Sequence, residues 1–240
     1  MARLRWFSFL GVLLFLLGGT SSPAQDRVRE ARTVEAFTEV ALSVPATLHL
    51  RQGEPRSVEI EATKRVLDRI ETAVENGRLK IRDASNFFER MFDDEEDGTV
   101  DVYVTAPTIE GISLAGSGRV EGETPIESAS LALENAGSGA MDLAVTTTDL
   151  RVSVAGSGTF DLRGTAESVT VQIAGSGTIR GADLTTATAE ISVAGSGDTY
   201  LRVTDRLSAK IMGSGDVVYR GTPSVDTSIL GSGEVRSAEE

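Results

Sequence analysis

Two sets of residues in this chain have the types and spacing to do chemistry. One is a serine with glycine on both sides. Gly116-Ser117-Gly118 recurs with first glycines at 137, 156, 175, 195, 213 and 231, seven copies stepped by 21, 19, 19, 20, 18 and 18 residues. The other set is acidic. Counted from the first glycine, position +3 holds Asp198, Asp216 and Glu234 in the last three copies, and position +5 holds Glu121, Asp142 and Asp161 in the first three. Stacked carboxylates about 5 Å apart repel, and a bound calcium ion would relieve that; paired carboxylates also suit glycoside hydrolysis. The plainer alternative is screening by water and salt.

The repeated serine fits no nucleophile pattern. A hydrolase elbow reads Gly-x-Ser-x-Gly between a strand and a helix, whereas here glycine touches serine directly. Seven copies and a single distant His49 make no triad, and no Gly-Lys-Ser/Thr follows to form a phosphate loop. A stacked turn with a ladder of hydroxyls is expected instead. His49 lies between Leu48 and Leu50 and is expected to be a solvated strand residue pointing away from their face. No catalytic, cofactor-binding or metal residue and no cofactor is therefore expected, with cation binding at the two acidic columns left open.

The repeats that carry these residues sort into columns. Position −4 holds Ile112, Leu133, Val152, Val171, Ile191, Ala209 and Thr227, and position −2 holds Leu114, Asn135, Val154, Ile173, Val193, Ile211 and Ile229. Position +4 holds Val120, Met141, Phe160, Ile179, Thr199, Val217 and Val235. Between the first two columns run Ser113, Glu134, Ser153, Gln172, Ser192, Lys210 and Ser228 as a polar face. Each repeat is thus a strand, a tight turn and a second strand, unable to bury its apolar face alone. Stacking in parallel solves this, which predicts an all-β fold: a parallel β-helix or β-solenoid of about seven Gly-Ser-Gly coils, roughly 34 Å long.

Residues 25–110 follow period two instead and are expected to cap one end of the repeat region 111–240, the whole of 25–240 being one continuous domain. Val40, Leu42 and Val44, Leu48 and Leu50, and Val58 and Ile60 mark half-buried strands. Glu71–Glu75 and Arg78–Arg82 are joined by Asn76-Gly77, the favoured pair of a type I′ hairpin turn. Val100, Val102 and Val104 mark another strand, and Lys64–Ile70 a short helical turn. Phe87-Phe88-Glu89-Arg90-Met91-Phe92, followed by five acids from Asp93 to Asp97, reads as a solvated hairpin tip or as a binding loop with an apolar patch. The acids lack the alternating spacing of a calcium loop.

Export is expected from Met1–Ala24. Arg3 and Arg5 precede an apolar run, Phe7–Leu17, and Ser22-Pro23-Ala24 offers a cleavage site before Gln25. Eleven helical residues rise about 17 Å, short of the roughly 30 Å hydrocarbon core, so the segment 1–24 reads as a signal peptide and no transmembrane span is expected in the mature chain. Net charge is −13, and losing Arg3 and Arg5 with the leader makes it −15. Such a surface repels phosphate backbones, which disfavours nucleic acid. The absence of cysteine excludes disulfides and thiolate metal sites.

The Ala-Gly-Ser-Gly turns, the hairpin Glu71–Ile81 and the leader together resemble the head GIN domain family of exported bacterial proteins, described as heads of autotransporter adhesins. The likeness spans roughly Val34–Val235. It implies a right-handed parallel β-helix similar in shape to pectin lyases but without their catalytic residues, and it supplies no functional residues to carry over. No membrane-barrel segment follows Gly233, a departure from a whole autotransporter. The expectation is a non-enzymatic binding or adhesion module at the cell envelope, in the periplasm, on the outer surface or in the medium. Its partner would be a surface protein or glycan, and a homo-oligomer is open. The alternatives are a carbohydrate-active β-helix enzyme, against which speaks the scatter of Phe37, Phe160, Tyr103, Tyr200 and Tyr219, and a structural envelope accessory protein with no ligand.

Overall fold

Alternation along the chain settles which side chains face inward, and the register between coils settles what they meet. The structure is a computed structural model that describes residues 27–84 and 98–238. The leader and the Phe87–Asp97 loop lie outside the described residues. The amino-terminal elements are β1 (Arg27–Ala31), β2 (Glu39–Ser43), β3 (Thr47–Gln52), β4 (Ser57–Thr63), helix α1 (Lys64–Leu67), β5 (Ile70–Glu75), β6 (Arg78–Asp83) and β7 (Asp101–Ala106). The repeats supply β8 (Gly111–Gly116), β9 (Arg119–Gly122), β10 (Ile126–Gly137), β11 (Ala140–Gly156), β12 (Thr159–Gly175), β13 (Thr178–Gly195), β14 (Asp198–Gly213), β15 (Val217–Arg220), β16 (Ser224–Gly231) and β17 (Val235–Ser237).

From β8 onward each coil lies parallel to the next, in a solenoid of about seven turns. The columns read from the sequence are true neighbours: Ile112, Leu133, Val152, Val171, Ile191, Ala209 and Thr227 pair in succession, as do the seven first glycines. Met141, Phe160, Ile179, Thr199 and Val217 likewise stack, each at most 1 % exposed. Full burial of a Phe160-sized side chain stabilises by about 2–3 kcal/mol. Glycine is required at the turn for two reasons. At Gly156, φ is +126°, and a Cβ there would stand 2.5 Å from the carbonyl oxygen of Gly137 in the preceding coil. Coils this close leave no room for a side chain, and L-residues avoid that φ.

The amino-terminal strands do more than cover an end. β2 and β3, joined across Val44–Ala46, form a coil that pairs in parallel with β8 and β9. On its other side the same coil pairs in parallel with β6 and β7, which come later in the chain. The amino-terminal coil is therefore sandwiched, out of chain order, inside the stack. Beyond β6 and β7 the pairing turns antiparallel, with β5 on β6, and β4 on β7 and β1. This mixed curled sheet ends the solenoid there, with helix α1 burying Val66 and Leu67 against the interior. The Asn76-Gly77 hairpin adopts φ values of 53° and 77°, and the short helical turn is realised as α1.

Candidate functional site

The acidic column at +3 is occupied by the main chain. The Asp216 N–H donates to Asp198 Oδ1 at 2.9 Å, and the Glu234 N–H donates to Asp216 Oδ1 at 2.9 Å. Each carboxylate thus caps the strand start of the following coil. Charge-assisted bonds of this kind are stronger than neutral ones. In earlier coils the equivalent amide donates to a turn glycine, as the Thr178 N–H does to Gly158 O at 3.0 Å, and in the last two coils the carboxylate takes that place.

The column at +5 lies beside arginines, with Arg119 Nε 4.0 Å from Glu121 Oε1. In register, the acids give way to Arg180 opposite Asp161, with Arg180 Nη1 to Asp161 Oδ1 at 3.4 Å. Arg163 pairs with Asp142. Glu121 faces His49 Nδ1 at 3.8 Å. Among the described residues, no three His, Cys, Asp or Glu side chains gather in a way that would hold a metal. Glu121, Asp142 and Asp161 do stack in register, as the spacing suggested, and the arginines beside them offset the repulsion.

The turn serines expose their side chains, and what links them is the backbone. The Ser157 N–H donates to Gly137 O at 2.9 Å, the Ser176 N–H to Gly156 O at 2.8 Å and the Ser196 N–H to Gly175 O at 2.8 Å. The ladder expected from hydroxyls is therefore a ladder of amides, with each serine N–H reaching the first glycine of the previous coil. A residue that bonds through its main chain needs only a small side chain there, which is why serine suffices.

His49 is not simply solvated. It points away from the Leu48/Leu50 face, as alternation requires, but its side chain is 22 % exposed and sits in a cross-strand cluster. Its ring stacks on Tyr103 at 4.7 Å and 15°, and the Arg29 guanidinium lies 3.8 Å over the Tyr103 ring. His49 Nε2 is 3.1 Å from Asp101 Oδ1, and Arg27 also binds Asp101. Burial raises the Asp101 carboxyl, but hydrogen bonds from Arg27 and His49, with their charges, hold it below the ordinary value. Burial, then the charges of Asp101 and Glu61, push the Tyr103 phenol up. Single-strand alternation gives no hint of this cluster, because its members come from β1, β3 and β7 and meet only through the out-of-order stacking. It ties the amino-terminal strands together.

What the outer faces offer a ligand is shape. A shallow groove of about 450 Å³ runs along the middle coils, with Ala136, Ala155 and Ala174 as its floor and Glu134, Ser153 and Gln172 along its side. These residues are in strict register, so an alanine repeats once per coil beside a polar residue that changes from Glu134 to Ser153 to Gln172. A second groove, about 680 Å³, passes over Ser168, Thr170, Thr188, Glu190 and Arg206 and lacks the alanine floor. The sequence columns showed the polar face but not its concavity, which arises because the column beside it is alanine.

Comparison with known proteins fits this geometry. Residues 36–223 match the family described as "Putative auto-transporter adhesin, head GIN domain". None of the curated proteins matches. Among solved structures, a "putative adhesin" from Bacteroides fragilis is similar at 24 % identity with a TM-score of 0.83, covering 90 % of this chain and 99 % of its own. A "putative lipid binding protein" from Parabacteroides distasonis is similar at 25 % identity and TM-score 0.73, covering 90 % and 98 %. A "putative adhesin" from the same species has 18 % identity, TM-score 0.73 and the same coverages.

Proposed function

The chain belongs to the head GIN domain family of autotransporter adhesins, and from that premise we propose that it is a non-enzymatic binding module of the cell envelope whose alanine-floored groove holds an extended surface glycan. Membership of an autotransporter adhesin family implies export, and no helix among the described residues is long and apolar enough to cross a membrane. The Met1–Ala24 signal peptide belongs to the same reading.

The observation that carries the proposal is the in-register groove over Ala136, Ala155 and Ala174. A linear polymer repeats along its length, and an alanine floor that repeats every coil of about 4.8 Å can meet several units alike, with a polar side chain beside each. The non-enzymatic reading is supported by Asp198 and Asp216, which cap main-chain amides, and by Asp142 and Asp161, which face arginines.

The test is binding of the purified protein to a panel of immobilised polysaccharides, alongside phospholipid vesicles because one similar structure carries a lipid-binding name. Saturable glycan binding that is lost in Ala155→Arg and Ala174→Arg proteins of unchanged thermal midpoint is expected. Glycan binding that survives both arginines would sink the groove assignment, and saturation by vesicles alone would sink the glycan. Release of shortened chains would favour the carbohydrate-active alternative, and an absence of saturable binding the ligand-free accessory role.

A further inference from the structure

The two ends of the stack are finished differently. At the amino-terminal end, among the described residues, β1 pairs only with β4 and β5 only with β6, but helix α1 covers the apolar interior with Val66 and Leu67, both buried. At the other end, among the described residues, β16 pairs only with β14 and β17 only with β15. The inward columns show the consequence. Leu207 and Ile211 are fully buried, while Val225 and Ile229, their partners one coil later, are 41 % and 42 % exposed. Leu230, on the outer side of the same strand, is 76 % exposed. Val225 and Ile229 lie on the end of the rod, whereas Leu230 terminates the column that floors the groove on its side.

The backbone there is also open. The Ser232 N–H turns back to Gly213 O and the Ala238 N–H to Tyr219 O. A parallel ladder alternates, so the amides and carbonyls of Val225, Thr227, Ile229 and Gly231 in β16, and of Val235 and Ser237 in β17, point outward. An occupant must therefore pair with two sheet edges about 10 Å apart and cover the apolar residues between them. A single peptide strand meets one edge only. Another solenoid end meets both.

We propose that this end is an interface between two copies of the chain, docked end to end about a two-fold axis with β16 antiparallel to β16 and β17 antiparallel to β17. Centring the first pair on Ser228 places Val225 opposite Gly231 and Thr227 opposite Ile229, so every outward-pointing backbone group meets another. Asp226 then faces Leu230 rather than a second acid. Centring the other pair on Val235 places Glu234 opposite Arg236 twice, converting a charged rim into two ion pairs. Both centres lie at similar distances from Ser232, on its two sides, so one axis serves both. The eight residues of β16 extend about 26 Å, and two sheets with their side chains span about 20 Å. The end buries about 500 Å² per copy, about 1,000 Å² in all, the lower bound of a specific interface, which fits a reversible dimer. A two-fold dimer would carry two grooves on one rod.

Sedimentation velocity of the full chain as expressed and purified tests this over roughly 1–200 µM, the range in which an interface of that size dissociates. A monomer–dimer equilibrium is expected for the unaltered protein. Val225→Lys with Ile229→Lys should abolish the dimer while leaving the circular dichroism spectrum of the folded chain unchanged, and should remove any rise of the thermal midpoint with protein concentration. Glu234→Arg and Arg236→Glu should each weaken it at least about fivefold, and the two together should restore it. A monomer at every concentration, an undiminished dimer in the lysine variant, or failure of the charge swap to restore affinity would each overturn the proposal.

Discussion

Replacing Gly156 with alanine puts a number on the turn argument. The new Cβ would lie 2.5 Å from Gly137 O, at a φ of +126°. That conformation costs a non-glycine residue about 1–3 kcal/mol. To reach even a tight contact the neighbouring carbonyl must retreat by about half an ångström, and the same oxygen accepts the Ser157 N–H at 2.9 Å. Losing that bond adds about 1 kcal/mol, so Gly156→Ala should cost about 3 kcal/mol in all. Gly53→Ala is the control, because nothing lies within 4 Å of its would-be Cβ and its φ is not positive; it should change stability by less than about 0.5 kcal/mol. Urea unfolding followed by circular dichroism, with slopes compared as well as midpoints, measures both. Equal midpoints for the two variants would refute the claim that the positive φ and the close coil together demand the glycine.

Other outcomes follow from the same geometry. Thr199 is fully buried between Ile179 and Val217, and its hydroxyl has no hydrogen-bond partner; Thr199→Val should stabilise by about 1 kcal/mol in thermal unfolding. Asp216→Ala removes the acceptor of the Glu234 N–H and should cost about 1 kcal/mol, with amide exchange rising first in β17. Asp101 titrates below its ordinary value in the folded chain, so its contribution is present above the unfolded carboxyl pKa and is lost as pH falls through the lower folded one. Asp101→Asn should therefore flatten the acid limb of the stability curve and leave its alkaline limb unchanged.

The solenoid was legible because its determinants are local and repeated. Glycine spacing gave the period, and alternation at −4, −2 and +4 gave the interior before any coordinate. Charge was harder to read. Position +5 lists acids only in Glu121, Asp142 and Asp161, yet Arg180 continues the same column and Arg163 reaches Asp142 from another. Reading one sign of charge down a column missed the counter-ions beside it. At +3 the missing information was in the backbone, since no sequence pattern says that a carboxylate will meet an amide of the next coil. The His49 cluster was invisible for a topological reason: β7 stacks outside β3 although it comes later in the chain, so His49 and Tyr103 become neighbours only after the coil order is known. The groove depends on a difference in side-chain size between adjacent columns, present in the letters but meaningful only once the sheet is curved.

The account's central claim about the acidic column is that Asp198 and Asp216 serve the main chain of the following coils rather than a bound ion. Thermal unfolding with and without millimolar calcium tests it directly, repeated after Asp198→Asn, Asp216→Asn and Glu234→Gln. A ligand held only by the folded state raises the midpoint by mass action. The account predicts the same midpoint with and without calcium, and a lower one in the triple variant under both conditions. A calcium-dependent rise that disappears in the triple variant would contradict it.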